Sequence, residues 1–473
     1  MALQIPFDNS YAQLPQPFHT RINPKPVRAP QLLHFNTALA DELGITRGTD
    51  SELAEVFSGN RLPDGAEPLA QAYAGHQFGG FSPSLGDGRA NLLGEVVDRD
   101  GQRRDIQLKG SGPTPYSRMG DGRAWMGPVL REYVVSEAMH ALGVPTTRAL
   151  AAVATGEPVY RESGGLPGAV LARVASSHVR VGTFQYFAAR RDTDALKTLC
   201  DYVIDRHYPQ ATGPADLLNA VAQRQAHLVA QWMSVGFIHG VMNTDNTAIS
   251  GETIDYGPCA FLDTYHPQTV FSSIDAQGRY AYDNQINVIT WNLAQFASSL
   301  VPLMTDEKAA VAAFTEAVHA MPEIAEAEWL RRFGAKIGLA SATEADRALI
   351  TDLLDLMTHG RADFTNTFRT LASRAARDQF LDPAQFDPWQ ARWRSRVQSE
   401  PDWQTRMDDA NPAFIPRNHR IEQMIAAAVS GDMAPFQRLL DVLSRPFVDQ
   451  PDASDLTHPP EPSEIVQQTF CGT

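Results

Sequence analysis

The hydrophobic positions along this chain change their spacing partway through, and that change predicts its organisation. Residues 68–120 are dense in glycine and carry short apolar runs. Residues 91–97 (NLLGEVV) and 105–108 (DIQL) read as strands joined by the turn Asp98-Arg99-Asp100-Gly101. Residues 128–142 are predicted as a helix with Val134, Ala138, Met139 and Leu142 on one face and Gly143 as its stop. From Asp216 onward the spacing becomes helical, with Leu218, Val221, Leu228, Val229 and Trp232 recurring up to Gly236. Further helices are predicted over 287–304, 306–321 and 323–333. Ser341 with Glu344 reads as a capping box opening a helix through Leu356. Residues 237–257 interrupt this half as loop and short strands, with 247–249 predicted to form a hairpin with 252–254.

The two ends differ from the middle. Prolines at 6, 15, 17, 24, 26 and 30 predict an extended, surface-hugging arm. Residues 444–463 hold five prolines and few apolar side chains, which predicts a loosely ordered tail. The fold class is therefore α+β, a small β-rich lobe on a large helical one. Residues 1–67 form the arm and first helices, 68–190 the β-rich lobe, 191–443 the helical lobe and 444–473 the tail. A cleft between two such lobes is where a ligand is expected.

Composition narrows the partners. The 40 Lys and Arg against 55 Asp and Glu give a net charge of -15, so a nucleic-acid role needs a local basic groove to overcome the total. No apolar run approaches the roughly 20 residues that span a bilayer. The first twenty residues lack a basic stretch followed by an apolar one, so no secretory signal and no membrane partner are expected. Three cysteines are too few for a disulfide framework, and a cytoplasmic location follows as the expectation.

Three short segments carry candidate chemistry. In Ser84-Leu85-Gly86-Asp87-Gly88-Arg89 two glycines bare the backbone for approach to a phosphate, and Arg89 adds a guanidinium fork; a plain hairpin turn has the same spelling. Lys109 ends the second strand, before a helix carrying Glu132, with Glu137 in reserve. That is the layout of a kinase lysine and its helix glutamate. In residues 239–246 (HGVMNTDN), followed by Asp255-Tyr256-Gly257, Asp245 is placed to accept a hydroxyl proton. Asn246 and Asp255 offer oxygen ligands to Mg²⁺ or Mn²⁺. Asp255-Tyr256-Gly257 stands where a kinase has Asp-Phe-Gly.

These strings, with residues 73–79 (YAGHQFG), 107–112 (QLKGSG), 121–124 (DGRA) and 412–418 (PAFIPRN), resemble the selenoprotein O family over nearly the whole chain. The resemblance implies a protein-kinase-like two-lobe fold that works as a protein adenylyltransferase, with ATP flipped so that its α-phosphate faces the acceptor. It implies nucleotide contacts from Gly86, Gly88, Arg89, Lys109, Asp121, Gly122, Arg173 and Arg180, with Glu132 in support. Asp245 would be the proton acceptor, and Asn246 and Asp255 the ligands of Mg²⁺ or Mn²⁺. The partners would be proteins bearing Ser, Thr or Tyr hydroxyls, the chain itself included. Uridylyl transfer with Mn²⁺, ordinary phosphoryl transfer and a pseudokinase remain as alternatives. The loop lacks the kinase His-Arg-Asp spelling and Asp-to-Asn spacing, and Lys109, Asp245, Asn246 and Asp255 are all present.

Some bacterial members of the family pair a terminal cysteine with one in the loop after Asp-Tyr-Gly. Here residues 269–273 hold serines, and Cys259 is the only nearby thiol. A flexible tail of twenty residues reaches roughly 25 Å. Ile465, Val466 and Phe470 could then dock over the cleft and hold Cys471 near Cys259, or Cys471 stays unpaired.

Overall fold

Alternating apolar positions build the N-terminal half around an antiparallel sheet; the computed structural model describes residues 2–162 and 164–470. The sheet contains β1 (His19–Arg21), β2 (Gln31–Phe35), β3 (Leu69–Gln71), β6 (Ala90–Val97), β7 (Arg103–Lys109), β9 (Arg148–Arg161) and β10 (Gly164–Ala175). Their order is β1-β3-β6-β7-β10-β9-β2, and β8 (Ala124–Trp125) pairs with β10. β4 (Gly75–Gln77) and β5 (Gly80–Ser82) form a separate hairpin. β11 (Phe237–Ile238) and β12 (Ala260–Phe261) form another small pair.

Successive strand residues face opposite sides, so β10 divides its side chains between two cores. Leu171 packs into the core of α3 (Met126–Ala141), with Val129, Leu130 and Val134. Val170 and Ala172 join Leu39, Leu53 and Phe57 of α1 (Thr37–Glu42) and α2 (Asp50–Phe57). Covered on both faces, the central strands read as near-continuous apolar runs. Register then sets the site: Arg173 lies opposite Gln107, and Lys109 is flanked by Ala90 and Leu171.

The proline-rich arm is knitted into this sheet rather than laid on its surface. β1 and β2 are its two edge strands, and Tyr11 and Phe18 are buried. Proline removes a ladder donor only where it stands, and the prolines lie outside both strands.

The C-terminal half is helical, through α4 (Val181–Arg190), α5 (Thr193–His207), α6 (Pro214–Ser234), α7 (Gln285–Leu300) and α8 (Glu307–Lys336), with shorter helices beyond. The two helices predicted on either side of Pro322 are one, 30 residues long. A mid-helix proline forfeits a backbone bond, but Met321 and Ala325 beside it are fully buried and α8 packs on both α6 and α7. The predicted capping box forms two residues later, between Thr343 and Asp346, because T-x-x-D serves the same orphan donors as S-x-x-E. Segments 247–249 and 252–254 do not pair with each other. Ala248 bridges Arg180 and Thr253 bridges Thr146, so both extended pieces find partners from the N-terminal half.

The tail is docked rather than loose. Ala453 and Leu456 are buried, and Arg438 grips Asp455 through Nη1 at 2.8 Å and Nη2 at 2.6 Å. Further on, the Thr469 amide donates to the Phe271 carbonyl at 2.8 Å and its Oγ1 to the Pro258 carbonyl at 2.6 Å. Polar groups make this contact; Ile465 and Phe470, expected to anchor the tail, are exposed. Cys471 lies outside the described residues. No helix among the described residues is long and apolar enough to cross a membrane.

Candidate active site

A cleft of about 790 Å³ opens between the glycine-rich edge of the sheet and the loop 239–259. It brings together the candidate nucleotide, metal and proton-acceptor residues, and Glu132 sits just behind Lys109. Seven Lys and Arg side chains line it against four aspartates. In a chain of net charge -15 this is the local reversal of sign that an anionic ligand requires.

The deep end is an ion cluster built from β7, α3, β10, the N-cap of α4 and the loop 239–259. Lys109 Nζ, ending β7, lies 2.6 Å from Glu132 Oε2 on α3 and 2.5 Å from Asp255 Oδ1. Arg173 Nη1, on β10, reaches the same two carboxylates at 3.2 and 2.7 Å. Arg180 Nη1 stands 3.5 Å from Asp255 Oδ2, and its guanidinium lies over the Tyr73 ring at 4.3 Å. Burial opposes the charge on Asp255, yet Lys109, Arg173 and Arg180 together hold its carboxyl well below the usual range. Asp255 has a left-handed φ of 64°, an unfavourable backbone for a non-glycine residue that these ion pairs offset. Glu137, the reserve partner, is committed to Arg148 at 2.9 Å and takes no part.

Behind the arginines lies a support that sequence reasoning passed over. Gln107 accepts from Arg173 Nη2 at 2.6 Å and donates from Nε2 to Asp87 Oδ2 at 3.2 Å. Asp87 Oδ1 in turn faces Arg180 Nη2 at 3.7 Å. Burial raises the Asp87 carboxyl, with Arg180 pulling the other way. Both residues stood inside segments quoted from the sequence, SLGDGR and QLKGSG, but their partners are 66 and 93 positions away and local spacing does not reveal them. The turn itself is glycine by necessity at Gly86. Its φ is 66°, and a Cβ there would lie 2.2 Å from Cγ of Tyr116. Gly88 and Arg89 follow along the same wall. Asp121 and Gly122 sit on the rim, where Arg161 Nη1 reaches Asp121 at 2.8 Å.

The loop 239–259 is held by buried amides from the helices beneath it. Gln225 of α6 donates to the Ala248 carbonyl at 2.7 Å, and Asn292 of α7 donates to the Met242 carbonyl at 2.9 Å. His239 bonds the Ile254 carbonyl at 2.9 Å. On this frame Asp245 is buried, and its main-chain oxygen accepts from Arg180 Nη1 at 2.9 Å. Among the described residues its carboxylate forms no ion pair: Oδ2 accepts from Gln77 Nε2 at 3.1 Å, and Oδ1 is buried without a partner. Burial pushes this carboxyl up to about 6, with Gln77 and Arg180 lowering it less. That value suits a proton acceptor working near neutrality.

Asn246 donates from Nδ2 to the Val241 carbonyl at 3.0 Å, which leaves its amide oxygen as a ligand beside Asp255 in the same cleft. One carboxylate and one amide oxygen fit a hard divalent cation that takes its remaining ligands from phosphates and water. Among the described residues no group of three His, Cys, Asp or Glu forms a cage of its own.

Cys259, three residues beyond Tyr256, is 1% exposed, and burial pushes its thiol up to about 11. A buried thiol of raised pKa is slow to oxidise; Cys471 lies outside the described residues, and the nearest described contact is Thr469 Oγ1 on the Pro258 carbonyl at 2.6 Å.

By class this is a cation-lined cleft facing a separate buried carboxylate. Comparison with known proteins narrows the class. Residues 1–444 match the family described as protein adenylyltransferase SelO, and the chain belongs to that family. It is 66% identical over 473 residues to the protein nucleotidyltransferase YdiU of Ruegeria sp. (strain TM1040). The YdiU proteins of Ruegeria pomeroyi and Bradyrhizobium diazoefficiens are 64% and 56% identical to it. All three comparisons cover 100% of both chains.

Proposed function

We propose that this chain transfers AMP from ATP to serine, threonine or tyrosine hydroxyls of proteins and releases pyrophosphate. The observation that carries this reading is the division of labour within one cleft. Three cations converge on Asp255, while the Asp245 carboxylate stands outside that cluster with Oδ1 free. Family membership over residues 1–444 supports the same activity.

In this mechanism the backbone of the Gly86–Gly88 turn and the side chains of Arg89, Lys109, Arg173 and Arg180 hold the phosphates. The acceptor oxygen bonds the α-phosphorus as the bond to pyrophosphate breaks, and the electron pair departs on pyrophosphate. Fixed cations stabilise that growing charge without reorganising. The hydroxyl proton passes to Asp245. Asn246 and Asp255 would hold Mg²⁺ or Mn²⁺, whose charge would further neutralise the polyphosphate. Asp255 already carries three cationic partners, so loading the site means handing Lys109, Arg173 and Arg180 over to phosphate oxygens.

The kinase-like division into lobes 68–190 and 191–443, flanked by 1–67 and 444–473, belongs to this reading. Its support is one cleft containing a strand lysine, its helix glutamate and Asp-Tyr-Gly. The cytoplasm is the proposed compartment. The test is incubation of the chain, alone and with a generic protein, with ATP labelled at the α- or the γ-phosphate. Label from the α position and a mass gain of one adenylyl group support AMP transfer. Label from the γ position alone overturns it in favour of phosphorylation.

A further inference from the structure

We infer that Gln77 is a positioning residue for this transfer: its amide fixes the orientation of the Asp245 carboxylate that takes the acceptor proton. The inference rests on the AMP-transfer reading and deepens it. Gln77 Nε2 donates to Asp245 Oδ2 at 3.1 Å, and no other side chain bonds that carboxylate among the described residues. Oδ1 is left buried and unpaired in a cleft-lining residue. An unpaired buried carboxylate oxygen is costly to keep, so the one hydrogen bond from Gln77 carries the orientation of this group. An amide N–H can only donate, so Gln77 engages one lone pair of Oδ2 and fixes the plane of the ionised carboxylate.

The hairpin that carries Gln77 is bolted to the loop on both sides of it. The His76 amide donates to Thr244 Oγ1 at 2.7 Å, and the Phe78 amide donates to Asn243 Oδ1 at 3.1 Å. Gln185 ties the two pieces together, accepting from Thr244 Oγ1 at 2.6 Å and bonding His76 Nδ1 at 2.8 Å. Tyr280 OH donates to Asn243 Oδ1 from a third side at 2.6 Å. Gly75 permits the close approach, since a Cβ there would lie 2.9 Å from Asp245 Oδ1. Phe78 takes a left-handed φ of 52° as the chain turns at the tip. A hairpin held this tightly against one carboxylate, with a strained residue next to Gln77, serves orientation more economically than it serves packing.

The test compares wild type, Gln77→Leu and Gln77→His for AMP transfer to a generic protein, ATP affinity by calorimetry, and melting temperature. Leucine keeps the bulk and removes the donor; histidine restores an N–H. The expected result is a kcat about 10- to 100-fold lower for Gln77→Leu, a share of what a base contributes, with ATP affinity and melting unchanged and partial recovery in Gln77→His. Wild-type kcat in Gln77→Leu overturns the inference, as does a kcat loss matched by lost ATP affinity or lower melting. Gln77→His no better than Gln77→Leu also overturns it. Failure of the wild type itself to transfer AMP overturns the proposed function, and this inference with it.

Discussion

Asp245→Asn should stop the chemistry while making the folded chain more stable. Burial pushes the Asp245 carboxyl from its ordinary 3.8 up to about 6, against weaker opposite pulls from Gln77 and Arg180. The folded state therefore binds this proton more tightly than the unfolded state. Wild-type stability falls as pH rises from about 4 through about 6, and stays lower above that. At about 1.4 kcal/mol per pH unit, the ionised carboxylate costs about 3 kcal/mol at pH 7.5 and almost nothing at pH 4. Asparagine has the same shape and no charge, and its carbonyl oxygen can still accept from Gln77. Urea unfolding without nucleotide at the two pH values measures the difference. The expected gain is about 3 kcal/mol at pH 7.5, shrinking towards zero at pH 4, alongside a transfer rate lower by about 100-fold or more. A gain equal at both pH values, or destabilisation at pH 7.5, would refute the claim that burial strains this carboxylate.

Asp255→Ala should abolish transfer, because it removes the carboxylate shared by three cations and, on the proposed reading, a ligand of the divalent ion; Lys109→Ala should chiefly weaken ATP binding, and calorimetry beside a transfer assay separates the two. Away from the cleft, Arg206 is buried between Asp105 and Glu95, each at 2.5 Å, and Asp105 also bonds His178 Nδ1 at 2.9 Å. Asp105→Ala breaks a buried pair and should cost about 3–5 kcal/mol, read as a lower melting temperature.

The parts of the fold legible in the sequence were those governed by local rules. β6, β7, α3 and α6 lie within a few residues of where apolar spacing and turn residues put them. What escaped depended on partners distant in sequence. The arm reads as extended either way, but only β3 and β9 turn its pieces into sheet edges. Pro322 signals a break, and only burial of α8 against its neighbours overrides it. At the site, Lys109, Asp245, Asn246 and Asp255 were legible as candidates by chemical type inside glycine-rich strings, and one cleft brings them together. Arg173 and Arg180 were reachable through family resemblance alone, since isolated arginines carry no spacing signal. Gln77, Gln107 and Asp87 were missed because an amide or a carboxylate gains its role from what it touches. Their partners lie 20 to 168 positions away.

The burial of the two described thiols has a practical consequence for chemical probing of the native chain. Cys200 and Cys259 are 2% and 1% exposed, and burial pushes their pKa values up to about 12 and about 11. Alkylating reagents attack the thiolate, which neither site supplies at neutral pH. Maleimide or iodoacetamide labelling without denaturant is therefore expected to leave Cys200 and Cys259 unmodified. The same labelling repeated in urea adds both and titrates the opening of the core around them.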